Sequence, residues 1–298
     1  MKLAIPDLIS NSYFPALAAI ELGFFAKEGL EISLEVVFPV DKAYAQLRDG
    51  SIDFVAGAAH PALAAFPEWQ GVKLLCAQAQ GMYWFLVMHA DFGARRGDLD
   101  VIRGRRIGAA PWVDMGLRAL LRDAGYDLER DKIAIAPVPL TPGIGVNFGL
   151  SAARALEDRR IDGFWANGMG AEVAIRRGVG TLVLDVRRGD GPKSCFDYTF
   201  ASLAATDRLV QETPERAAAA VRAIAQTHAA LKQDVALAAK VGRKLFPPEE
   251  AELIVELIKR DLPYYDTTIS EAAIAGLNRF AKGLGILKAD ASRRQIVA

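Results

Sequence analysis

Apolar residues recur at helical spacing over residues 12–25, with Ser12 placed as an N-cap and Gly23 just past the helix body. Phe24 and Phe25 follow, and Gly29 in KEGLE suits a turn into a strand, because glycine takes positive φ at no steric cost. Over residues 32–38 apolar and polar positions alternate (Ile32, Leu34, Val36, Phe38), the period of a half-buried strand. Asp41 then caps a short helix through Leu47 that ends near Gly50, and residues 52–55 form a short buried strand. With Lys2–Ile5 as the first strand, the order is strand, helix, strand, helix, strand. That order predicts a parallel α/β unit whose loops are open to a ligand.

The same logic returns farther along. Residues 73–79 and 83–89 read as strands separated by a Gln-Gly turn, and the polar stretch 90–99 fits a crossing between lobes. Residues 106–110, 133–138, 163–166 and 182–186 read as strands, alternating with helices over 115–124, 150–158 and 171–177. The architecture repeats, although the residues do not. Pro139, Pro142, Gly143 and Gly145 make a long loop in this block, and residues 198–204 read as a return strand. From Thr213 the chain is helical, with Thr213-Pro214-Glu215 as one start (Thr as N-cap), Pro247-Pro248 as another and Ser270-Glu271 as a third. The tail after Lys288 is polar and is expected to fray.

Composition narrows the class. A chain of 298 residues with 52% hydrophobic and 24% charged residues can bury a substantial core in one large or two smaller domains. Lys+Arg and Asp+Glu both total 36, so bulk charge gives no attraction to nucleic acid or to an anionic membrane. No apolar run approaches the roughly 20 residues needed to span a bilayer. Met1 to Pro6 enters a strand directly, without the basic start, apolar centre and small-residue cleavage site of a secretory signal. The expected location is periplasmic if a signal has been removed, and otherwise cytoplasmic. Cys76, in the apolar run KLLCAQA, reads as a small core hydrophobe rather than half of a disulfide with Cys195.

Candidate chemistry gathers in the loops that follow strands, where open α/β sheets hold ligands. After the first strand come Ser10, Asn11, Ser12 and Tyr13; after the third come Ala58 and His60. Tyr83 and Trp84, then Pro111, Trp112 and Asp114, then Trp165 and Asn167 follow in the second block. Three of the four Trp residues therefore fall in or beside these loops. Trp faces stack on planar groups and cations, or simply fill a core. Helix starts at Tyr13, His60, Asp114 and Gly168 offer backbone N–H groups to a carboxylate or sulfonate. His60 reads either as a donor to a ligand oxygen or as local packing beside Pro61; His89 and His228 read as structural. Enzyme signatures are missing: no G-x-S-x-G, no H-E-x-x-H and no zinc spacing, while Gly143-Ile144-Gly145 is only G-x-G in a Pro-rich loop. No catalytic residue, metal or cofactor is expected.

Three stretches carry a resemblance: GFFAKEGLE followed by LRDGSIDF, then GRRIGAAPWVDMGLRALLRDAGYD, then ALEDRRIDGFWANG. With the helical C-terminal third, they make the chain resemble the nitrate/sulfonate/taurine class of ABC-transporter substrate-binding proteins (NMT1/THI5-like). That family also includes the pyrimidine-precursor proteins of thiamine metabolism. The resemblance implies a two-lobed type II periplasmic-binding-protein fold, each lobe a mainly parallel sheet flanked by helices. Lobe I would be residues 1–89 plus 199–298, and lobe II residues 90–198. It implies a monomer that closes over a small-molecule ligand and delivers it to an ABC permease in the membrane. The aromatic loops suit an aromatic or heteroaromatic ligand, with or without an anionic group, better than nitrate. A signal-less enzyme on the same fold, synthase-like or decarboxylase-like, and a cytoplasmic ligand sensor are the other readings. The family's pyrimidine synthases carry a cysteine-rich cluster that this chain lacks.

Overall fold

A computed structural model describes residues 1–142 and 147–298. The chain divides into two compact units, Met1–Gly81 with Asp197–Ala298, and Met82–Phe196. Its strands, in chain order, are β1 (Lys2–Ile5), β2 (Ser33–Val36), β3 (Phe54–Ala58), β4 (Val72–Ala79), β5 (Phe85–His89), β6 (Arg106–Ala109), β7 (Ala134–Ala136), β8 (Gly163–Ala166), β9 (Gly180–Asp185) and β10 (Ala201–Thr206).

The first unit holds a five-stranded sheet in the order β2-β1-β3-β10-β4. β1 runs parallel to β2 and β3, and β10 runs antiparallel to β3 and β4, so β10 alone opposes the others. The second unit repeats the plan as β7-β6-β8-β5-β9, with β5 reversed. In each sheet the reversed strand is the first one laid down after the chain enters or re-enters that unit. The expected mainly parallel sheets are thus found, each with one reversed strand. Strands β3, β5 and β8 are buried at every position, as expected for strands covered on both faces.

The position of the crossing differs from the sequence expectation. The sequence pattern puts residues 85–89 with the first lobe, but β5 pairs with β8 and β9 in the second sheet. The chain leaves the first unit after Gly81, which sits at φ +70°, and returns at Asp197. Met82 N–H donates to Phe196 O at 2.8 Å, tying together the first and last residues of the second unit. Low apolar content over 90–99 marks a surface segment of short 3₁₀ turns, not a change of sheet.

Local details also move. Ser12 does not cap the first helix, which is Phe14–Glu21 with Tyr13 at the N-cap position and no cap from its side chain. A distant residue does that work: Ala16 N–H donates to Gln78 Oε1 at 3.1 Å. Asp41 lies in the first turn of Val40–Arg48, behind Pro39 as N-cap. Thr213 Oγ1 donates backward to Leu209 O at 3.0 Å, closing the preceding helix rather than capping Pro214–Gln233. Ser270 does cap Glu271–Gly283, accepting from Ala273 N–H at 3.1 Å. The tail is pinned rather than frayed, with a Ser292/Gln295 capping box, Ile296 buried, and Ala298 N–H donating to Leu74 O at 3.1 Å. Cys76 and Cys195 are both buried and free, and burial pushes the Cys76 thiol up to about 12. The Gly143-Ile144-Gly145 motif lies outside the described residues.

Helix Glu271–Gly283 holds the return segment by backbone contact. A Cβ on Gly276 would stand 2.3 Å from Asp197 Cβ and 2.4 Å from Asp197 O. One turn on, Phe280 stacks on Tyr198 with ring centroids 4.8 Å apart and planes 12° off parallel. Gly276→Ala should therefore destabilise the protein by about 1–3 kcal/mol, as overpacking against backbone does. Urea unfolding of the variant checks this, and a midpoint equal to wild type would refute the close approach.

Candidate functional site

In the first unit the carboxyl ends of β1 and β3 and the start of β10 share one edge of the sheet. Register places Ala201 opposite both Ala58 and Ala79. Polar residues collect there and are buried: Asp7, Ser10, Asn11, Ser12, His60 and Thr199. Ile9 N–H donates to Asp7 Oδ1 at 2.9 Å, turning the chain after β1. Asn11 Nδ2 donates to the buried Asp261 carboxylate, and Tyr265 Oη donates to Asn11 O. Tyr13 stays a neutral phenol, because burial first and the Asp7 carboxylate second push its pKa up.

The other predicted residues of this unit are held in place. Ala58 ends β3, and its carbonyl accepts from Tyr44 Oη at 2.8 Å. His60 is fully buried, shares a 3.1 Å hydrogen bond with Thr199 Oγ1 and meets the Phe280 ring edge-on at 5.3 Å. His228, expected to be structural, lies on Pro214–Gln233, and its Nε2–H donates to Gln78 O at 2.9 Å. Two atoms of the cluster stand apart. Asn11 Oδ1 and Ser12 Oγ are buried and have no hydrogen-bond partner among the described residues.

In the second unit the equivalent edge carries the aromatic residues. Ala109 pairs with Trp165, and Phe85 pairs with both Ala166 and Asp185. The segments after β6, β8 and β9 and before β5 therefore meet at one edge. Trp84 and Trp165 pack 6.2 Å apart, and Trp165 Nε1 donates to Val113 O at 3.1 Å. Gly116 makes room for them, since a Cβ there would meet Trp84 Cζ3 at 2.8 Å. Tyr83 adjoins Trp84 at 5.0 Å and lies under the buried Arg187 guanidinium, 5.6 Å from the ring centre.

Trp112 differs from these. It is half-buried, follows the half-buried Pro111, and holds φ +70° and ψ −34° at the start of Val113–Asp123. A bulky residue in that region costs of order 1–3 kcal/mol and is kept where the surroundings demand it, often at a ligand site. Asp114 is tied to Arg118 at 2.8 Å, and Arg118 donates on to Ile135 O. Asn167 Oδ1 accepts from Gly170 N–H at 3.1 Å and so caps Gly168–Arg176.

The four helix starts expected to receive an anion are largely spoken for. Gln78 Oε1 takes Ala16 N–H, and Pro15 has no N–H to give. The segment after His60 forms only a four-residue helix, Ala62–Ala65. Asp114 brings its own negative charge to the third start, and Asn167 caps the fourth. Gln78, Thr199, Asp261 and Tyr265 had no signal in the sequence, because each reaches the sheet edge from a distant part of the chain or from within an apolar run. Asp7 and Arg187, by contrast, lie directly after β1 and β9, where the position of the loops could have found them.

These two sheets, each with one reversed strand and flanking helices, are the type II periplasmic-binding-protein architecture. The model of the NMT1/THI5 like family matches residues 10–234, and the chain belongs to that family. No curated protein matches the sequence. Among solved structures, a protein from Bordetella bronchiseptica RB50 is similar at 20% identity and TM-score 0.75, covering 100% of this chain and 93% of its own. The alkanesulfonate-binding protein SsuA from Xanthomonas axonopodis pv. citri, bound to MOPS, is similar at 16% identity and TM-score 0.69, covering 98% and 94%. The desulfurization enzyme DSZB is similar at 16% identity and TM-score 0.65, covering 100% and 96%. At such identities the likeness shows the fold, and this fold hosts both binding proteins and an enzyme.

Two outcomes follow from the geometry. Burial lowers the His228 pKa from 6.5 to about 4, so its neutral form supports the folded state. That support is complete above pH 6.5 and falls away as pH drops toward 4, because the unfolded chain binds the proton first. Wild type should lose about 3 kcal/mol more than His228→Gln over this window, read from urea midpoints against pH. At residue 112, the N-cap of Val113–Asp123, the positive φ should add to the ordinary advantage of glycine over alanine at a helix start. Trp112→Gly should be about 1 kcal/mol more stable than Trp112→Ala, since only glycine takes φ +70° freely; equal melting of the two variants would remove the strain argument.

Proposed function

We propose that this protein is a solute-binding protein that captures a small aromatic or heteroaromatic ligand and delivers it to an ABC permease. The observation that carries the ligand class is Trp112, a half-buried aromatic kept in a left-handed backbone at the carboxyl end of β6. Its ring would stack on a planar ligand, backed by the buried Tyr83, Trp84 and Trp165 of the same sheet edge, with Pro111, Asp114 and Asn167 shaping the turns around it. In the first unit Asn11, Ser12, Tyr13, Ala58 and His60 supply the polar positions. Family membership supports the transport role. Work with a permease puts the protein in the periplasm, as an ABC import component that acts as a monomer. Binding energy would select the ligand-competent state from a pre-existing population.

Chemistry on the ligand is the weaker reading. Cys76 is held as a thiol by burial, and His60 is engaged with Thr199.

A thermal-shift screen against aromatic acids, sulfonates, heteroaromatics and amines, followed by mass spectrometry of each hit, tests the proposal. A ligand at 100 times its Kd adds about 2.7 kcal/mol of stability. The expected result is a hit recovered unchanged whose shift is lost in Trp112→Ala. Recovery of a converted product would replace binding by catalysis, and hits confined to inorganic anions would overturn the aromatic ligand.

A further inference from the structure

The pair of unpartnered atoms at the end of β1 says what kind of group the first unit accepts. Asn11 is fully buried, and its amide can sit in only one sense. Asp261 Oδ2 is an acceptor, so the Asn11 nitrogen must face it; the reverse flip would set carbonyl oxygen against carboxylate. That contact turns Asn11 Oδ1 away from Asp261 as a fixed acceptor with no donor among the described residues. Ser12 Oγ, one residue on and also fully buried, has no partner among the described residues either. Buried polar atoms are nearly always paired, so two adjacent orphans at the ligand edge of a sheet mark a place where something else supplies the partner.

The surroundings choose the sign of that partner. Asp7 and Asp261 are both buried carboxylates of the same cluster. The nearby helix offers little to an anion, since Pro15 has no N–H and Ala16 N–H is taken by Gln78 Oε1. A carboxylate or sulfonate oxygen placed against Asn11 Oδ1 would set lone pair against lone pair beside these negative charges. A donor is attracted by all of them.

We infer that the ligand presents a nitrogen-borne hydrogen-bond donor, an ammonium, amidinium or amide N–H, to Asn11 Oδ1 and Ser12 Oγ; this rests on the solute-binding reading above. Ser12 Oγ, able to donate or accept, serves as the second contact. The donor class sets this chain apart from a binder that holds a bare anion at the end of its first strand.

Titration calorimetry with four probes of one size tests it: benzylamine, benzamide, benzoate and benzenesulfonate. The two N–H donors should bind at least tenfold more tightly than the two anions. Ser12→Ala should weaken the donors about 5–10-fold, the range of one hydrogen bond. The same variant should leave unliganded melting unchanged or raised, because Ser12 Oγ has no partner among the described residues to lose. A merely structural serine would show the opposite, lower melting with unchanged affinity. Tighter binding of the anions, or Ser12→Ala with wild-type affinity, overturns the inference. So does the absence of binding by all four, which would leave these atoms to solvent. A hit from the broader screen that is recovered unchanged but carries no N–H donor would also sink it, while leaving the solute-binding role intact.

Discussion

Gln78 is the residue on which the first unit turns. It sits fully buried in the apolar run that follows Lys73 in β4, where an unsatisfied amide would be costly. Its Oε1 accepts from Ala16 N–H and sets the start of Phe14–Glu21, while its Nε2 donates to Ser202 O at 2.8 Å in the reversed strand β10. Its own carbonyl accepts from His228 on Pro214–Gln233. One side chain and its peptide thus join β4, β10, the first helix and the long C-terminal helix. The consequence at the helix start is direct: Ala16 N–H is already served by Gln78, and Pro15 has no N–H to give.

The two units solve the same problem with different materials. Each ends its parallel strands at an edge where the backbone runs out of ladder partners and loop side chains take over. The first unit fills that edge with short polar groups whose hydrogen bonds are almost all internal. The second fills it with aromatic mass, relieved by Gly116 against Trp84 and accompanied by the buried Arg187 over Tyr83. Strain and unsatisfied hydrogen bonding, both unfavourable for folding, coincide with these edges at Trp112, Asn11 and Ser12. They are not confined to these edges: Trp69 holds φ +61° and its buried Nε1 has no partner among the described residues.

Much of this was legible in the chain. The period-two and period-3.6 patterns located nearly every strand and helix, and β1 and β8 were placed to the residue. The loops after β1, β3, β6 and β8 were identifiable as carboxyl-end loops because strand order alone implies where carboxyl ends fall. Capping was less legible. Ser12, Asp41 and Thr213 all look like N-caps, yet Ser12 is orphaned, Asp41 lies inside its helix and Thr213 bonds backward. A short polar residue before a helix has several backbone partners within reach, and local sequence does not rank them.

The chain by itself determined the element types, the α/β class and the family, because these rest on periodicity, turn chemistry and local phrases. Only the tertiary structure decided that β5 belongs to the second sheet, that the tail is pinned to β4, and that Gln78, Asp261 and Thr199 hold the segments at the carboxyl-end edge of the first sheet. Pairing partners lie from tens of residues to some two hundred and fifty residues away, and no local pattern encodes them. It also decided which polar atoms stay unpaired, since satisfaction of a hydrogen bond is a property of the whole neighbourhood and not of the residue that carries it.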